Sequence, residues 1–234
     1  MTAESSREIL LGHRVGNSAV RTVWKQGRRF GLCLLILFAI CSQVHASQSN
    51  VAVPIVWDEH ALRLSVDVPN SNSWVYNATL SAMNSWNTIQ QYFVSHYYAN
   101  DTQPDRYYFY AANSSDADIQ ITPLNTLSFP NMIAYTQNLG QNRFHIYVAT
   151  EVMTDPGMEK EYYLTLLHEL GHVFGIGDVF GEYNDVMDAV VSNSTMRIST
   201  PDLYTIRLLA VSTLAPNTFV YLPPALPYTQ FTFN

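Results

Sequence analysis

The stretch "LLHELGHVFGIGDVFGEYNDVM", residues 166 to 187, decides how the rest of the chain is read. On a helix, residues four apart stand on one face, so His168 and His172 present two imidazoles to a single point. That spacing suits one zinc ion. Glu169, beside the first histidine, sits where its carboxylate can reach a metal-activated water without itself binding the metal. Two histidines underfill a zinc shell, so a third protein ligand is needed and a fourth position should stay open for water. Gly175 lets the chain turn sharply after the helix and sends "IGD" back toward the metal. Asp178, six residues after His172, is then the nearest third ligand, with Asp185, Asp188 and Glu182 as alternatives.

Outward from this stretch, Asp155 is placed to cap the helix, and Pro156 takes its first position. Tyr163, Leu167, Leu170 and Phe174 form the apolar face of that helix, and Gly175 ends it. Upstream, Leu62, Leu64, Val66 and Val68 alternate with polar neighbours as in a half-buried strand. Val75, Ala78, Ala82, Trp86, Ile89 and Phe93 then recur at spacings of three and four, one face of a long helix over residues 73 to 96. Strands are expected at 106 to 112, 117 to 123 and 143 to 149, with a fourth near "MIAYTQ". A last helix opens at "STPDLYTIRLLAVST", with Thr200 as cap, Pro201 in the first turn and Asp202 set favourably against the helix dipole. The fold class this implies is α+β: a mixed sheet, a long backing helix, the histidine-bearing helix and a C-terminal helix.

The leader has six basic residues before the apolar run "FGLCLLILFAIC" and small residues at Val44 and Ala46, the pattern of a secretory signal cut after Ala46. The run falls short of the roughly 20 apolar residues that span a bilayer. The alternative is an uncleaved signal that anchors the protein at the cell surface. The division expected is a signal peptide over 1–46, a catalytic domain over 47–212, and a Pro- and aromatic-rich extended tail over 213–234 that lies on the domain or leads to a partner. Both cysteines, Cys33 and Cys41, fall in the leader, so the mature part has no disulfide and relies on its core and any bound metal. Losing the leader removes half of the twelve Lys and Arg but only Glu4 and Glu8 of the acids, leaving a formal charge of −11. No basic patch remains for nucleic acid. Sequons at Asn77, Asn100, Asn113 and Asn193 fit an exported glycoprotein. The acidic surplus includes no twelve-residue calcium loop, so calcium lacks support. His60, His96 and His145 read as ordinary core or surface residues.

His168-Glu169-x-x-His172-x-x-Gly175-x-x-Asp178 resembles the extended zinc motif of the metzincin metallopeptidases, with aspartate in the third position. Within that clan the aspartate variant is similar to the snapalysins, small secreted bacterial neutral proteases. Met187, nine residues after Asp178, resembles the Met-turn that passes beneath the metal in metzincins. The layout of residues 51 to 212 is similar to matrixin-like domains, whereas the specific motif covers 168 to 187. The mature part has no cysteine for a thiol-ligand propeptide, and Ala189 stands where some subfamilies carry an extra tyrosine ligand. Tyr183 is the candidate oxyanion partner. The resemblance implies a zinc endopeptidase that acts on protein or peptide substrate, with an extended peptide pairing along a strand edge. The alternative from another class is a catalytically idle, zinc-stabilised surface protein whose tail docks a partner; the intact Glu169 speaks against it.

Overall fold

A computed structural model describes residues 48–55, 57, 60–67, 73–100, 106–124, 133–179, 185–189, 196–211 and 214–232. The leader, Val68, Glu182, Tyr183 and Asn193 lie outside the described residues.

The main sheet has five strands in the order β3-β2-β4-β6-β5. They are β2 (Ala61–Val66), β3 (Tyr108–Ala111), β4 (Ile119–Leu124), β5 (Ala134–Gly140) and β6 (Arg143–Ala149). The first four in that spatial order run parallel, and β5 closes one edge antiparallel to β6. Parallel neighbours need a crossover, and the long helix α1 (Ser73–Tyr97) is the crossover from β2 to β3. All six residues of its expected apolar face are buried. They join Leu62, Leu64, Ile119, Ile121, Phe144, Ile146 and Val148 in one core, so α1 covers one face of the sheet. The residues that alternate with these, Arg63, Gln120, His145 and Tyr147, stay partly exposed, which is why each strand carried a period of two. Arg63 and Asp118 tie β2 to the start of β4 through a bidentate ion pair, 2.7 and 2.9 Å.

After β6 come a short helix α2 (Thr150–Thr154) and a 3-10 turn, Pro156–Met158, before helix α3 (Glu159–Val173). Asp155 does cap, but it caps the 3-10 turn: its Oδ1 accepts from Gly157 N at 2.8 Å. Helix α3 is buried on more than the one expected face: Leu167 and Leu170 of that face are fully buried, but so are Tyr162, Leu166 and Val173 outside it, while Tyr163 is only partly buried. Trp86 of α1 locks the two helices together, donating Nε1–H to Leu167 O at 2.9 Å and packing edge-on against Phe174 at 5.3 Å.

The smaller part of the chain is built by pairings distant in sequence. Strand β1 (Gln48–Val51) lies between β7 (Ile176–Gly177) and β9 (Thr218–Tyr221), antiparallel to both. Strand β10 (Gln230–Phe231) pairs with β8 (Ile198–Ser199), just before helix α4 (Thr200–Val211). Thr200, the expected cap of α4, exchanges bonds with the tail: its N–H and hydroxyl donate to Thr229 O, and Thr229 N donates to its Oγ1. The tail therefore lies on the domain through two strand pairings. Among the described residues no helix is long and apolar enough to cross a membrane.

Gly175 has φ +92°, and a Cβ there would strike the carbonyl oxygen of Val53, while Ala52 N donates to Gly175 O at 2.9 Å. Both the backbone conformation and the approach of the chain after β1 require glycine. Gly175→Ala is expected to destabilise the protein by about 2–4 kcal/mol, read from denaturant midpoints in excess chelator. An unchanged midpoint would contradict this account of the turn.

Candidate metal centre

Helix α3 brings His168 and His172 to one face, their rings 4.7 Å apart and nearly perpendicular. Each ring is fixed from behind. His168 Nδ1 lies 2.7 Å from Val186 O and His172 Nδ1 lies 2.8 Å from Ile176 O. A carbonyl only accepts, so both Nδ1 atoms carry the proton, and in the neutral rings both Nε2 lone pairs face the site. Sequence reasoning found the histidines but not these two carbonyls, which come from loop backbone and leave no side-chain signal.

Asp178 reaches the same point. Its Oδ1 lies 3.3 Å from His168 Nε2 and 3.4 Å from His172 Nε2. The turn at Gly175 and the pairing of Gly177 with Asn50 deliver it there, so β1 braces the segment that carries this carboxylate. The Asp178 carboxyl is held below the ordinary carboxylate range, first by its bond to His168 and then, against its own burial, by the charges of the two imidazoles. At His168 burial presses the imidazolium down, but Asp178, Glu169 and the Val186 carbonyl outweigh it and raise the pKa above the usual imidazole value.

Glu169 is 5 % exposed, and its carboxylate groups with His168 and His172 in a set of donor atoms all within 4.8 Å of one another. This buried group can bind a metal ion. Thr136 of β5 donates its hydroxyl to Glu169 Oε2 at 2.7 Å.

Below the helix, Met187 is fully buried against Gly171, where an added Cβ would meet Met187 Sδ and come within 2.9 Å of Cε. Its turn is closed by Asp188 N donating to Asp185 O and Met187 N donating to Asp185 Oδ1. Val179 N donates to Met187 O, so the turn is sewn to the residue following Asp178, while its Val186 carbonyl holds His168. Met187 thus packs beneath the histidine-bearing helix at Gly171.

Asp185 is engaged in that turn and faces a second buried acid, Asp202. Burial and the Asp202 charge push the Asp185 carboxyl well up, and burial raises Asp202, which accepts from Ser49 Oγ, Ser199 N and Ser199 Oγ. Two acids buried this close disfavour carrying charge together. Asp202 does stand as the acid in the first turn of α4, and at 1 % exposure it also serves this buried network, which links β1, β8 and the Met187 turn. The histidines read as ordinary have ordinary partners: His60 meets Arg106 O, His145 meets Thr122 Oγ1, and His96 stacks on Tyr92.

Compared with protein-family models and with curated proteins, the sequence matches none.

Protons and metal compete for the same nitrogens, which sets a pH dependence. With its pKa raised in the folded, metal-free protein, protonated His168 contributes stability that is complete below the unfolded value and is lost as pH rises through the folded one. Asp178, lowered, contributes above its unfolded value and loses this as pH falls through its folded one. The metal-free protein is therefore steadied between those two limits, and metal binding there must displace a proton from His168. Metal affinity is expected to begin falling above the ordinary imidazole pKa as the solution is acidified. Competition titrations across pH check this; affinity constant down to pH 5 would contradict it.

Proposed function

We propose that this chain is a secreted, zinc-dependent endopeptidase in which His168, His172 and Asp178 hold the metal and Glu169 is the general base. The observation that carries the reading is the convergence of two Nε2 atoms on one Asp178 oxygen at 3.3 and 3.4 Å. Zinc bonds of about 2.0–2.2 Å at tetrahedral angles set neighbouring donors about 3.3–3.6 Å apart, so these residues fit zinc with little rearrangement. The donor chemistry supports it as well: two neutral imidazoles, a carboxylate and no thiolate, with three protein ligands leaving one position open. Zinc, when bound, supplies a Lewis acid and lowers the pKa of a water toward about 7.

The chain's own groups carry the protons. Glu169 takes a proton from the attacking water and returns it to the leaving amine as the peptide bond breaks. Keeping a carboxylate at 5 % exposure costs desolvation, which a catalytic use explains better than a structural one. β5 is an edge strand, and among the described residues no strand pairs with its outer side. An extended peptide added there would run past Glu169, since Thr136 of that strand touches the glutamate. The long helix on a mixed sheet, the buried methionine under the histidine helix and the closing helix α4 are in keeping with a metzincin-like layout.

Zinc-loaded protein incubated with casein and with peptide libraries is expected to give internal cleavages that a chelator abolishes. Hydrolysis of esters or other acyl compounds without any peptide cleavage would point instead to a different zinc hydrolase.

A further inference from the structure

The edge strand β5 meets helix α3 through one polar contact that the reaction outlined above does not yet use. Thr136 Oγ1 lies 2.7 Å from Glu169 Oε2 and 3.2 Å from Glu169 O. A hydroxyl has one proton, and the shorter bond, to a carboxylate, is the charge-assisted one. The donor is held firmly. Thr136 pairs with Ile146 in a seven-residue strand, and a β-branched side chain on a strand has few χ1 choices. The acceptor is a three-torsion side chain on a buried helix, and among the described residues no other side chain bonds its carboxylate. One oxygen of Glu169 is therefore tied to the sheet, while the carboxylate stays within 4.8 Å of the histidine donor atoms.

We infer that Thr136 is a positioning residue: its hydroxyl fixes the Glu169 carboxylate in register with β5, the strand along which an extended peptide would lie. This rests on the endopeptidase reading of the site. General-base catalysis is sensitive to such placement, a displacement of ~1 Å costing up to ~10²-fold in rate. Because Tyr135, the preceding residue, stacks on Tyr147 at 4.7 Å on the opposite face, the strand cannot turn Thr136 away without breaking that stack.

The experiment compares Thr136→Val and Thr136→Ser in the zinc-loaded full-length mature protein, with kcat and KM for one peptide, zinc per chain and melting temperature. Thr136→Val is expected to lower kcat about 10- to 100-fold, with KM within about twofold and full zinc content. Thr136→Ser, which keeps the hydroxyl, is expected to stay within about threefold of the parent kcat. Should the valine variant fail to fold, Thr136→Ala against Thr136→Ser isolates the hydroxyl in the same way. Parent kcat in the variants lacking the hydroxyl overturns the inference, as does an equal loss in the serine variant, or a rise in KM alone. A zinc-loaded parent that cleaves no peptide overturns the endopeptidase reading itself, and this is seen before any variant is compared.

Discussion

Glu169→Gln is expected to lower kcat/KM for peptide hydrolysis by about three orders of magnitude while zinc content and melting temperature stay close to those of the parent. Glutamine has the shape of glutamate and its carbonyl oxygen can still accept from Thr136, so the local packing at this 5 % exposed position is preserved. What it lacks is the ability to take a proton from water. The substitution thus separates chemistry from structure. Steady-state rates on one peptide, with metal content measured on the same samples, check it. A glutamine variant that holds zinc and cleaves at the parent rate would remove Glu169 from the mechanism and favour a structural role for the metal.

Asp178→Ala is expected to weaken zinc binding by at least about a hundredfold, because it removes a donor outright, and loss of mere supporting groups already costs about 10- to 100-fold. Two imidazoles alone would remain. His168 also changes: without the Asp178 carboxylate, its imidazolium loses the chief group that opposes burial. The matched control is Asp185→Asn. Asp185 accepts from Met187 N and faces Asp202; asparagine can still accept from that N–H and can donate an amide hydrogen to Asp202, so zinc affinity should stay within a few-fold of the parent. If the Asp185 variant loses zinc and the Asp178 variant keeps it, the ligand assignment is reversed.

The parts of this molecule that could be read from sequence are those whose cause is local. Val75 to Phe93 carry their own helical period, and Phe144, Ile146 and Val148 their own alternation, so the sheet and its backing helix were expected close to where they stand. His168, His172, Gly175 and Asp178 sit within eleven residues, and helix geometry followed by one turn suffices to bring them together. What stayed hidden depends on partners far along the chain. The four residues of β1 have no strand signal of their own; their partners are Ile176, Gly177 and the tail strand from Thr218. Thr136 is an ordinary strand threonine until its position 33 residues before Glu169 is folded against the helix. The Asp185–Asp202 pair likewise joins a turn to a helix start, and Asp202 by itself looked like a dipole acid. Only the reading of the tail as lying on the domain or leading to a partner touches this second layer, and strands β9 and β10 give its first branch form.

The central claim is that one zinc, held by His168, His172 and Asp178, serves peptide hydrolysis with Glu169. Its most direct test measures zinc per chain and peptidase activity together on the protein from about residue 47 onward. The account expects one zinc per chain, cleavage that disappears with a chelator, and recovery in proportion to zinc restored. Stoichiometric zinc with no cleavage of any peptide, or cleavage that persists in fully metal-free protein, would contradict it.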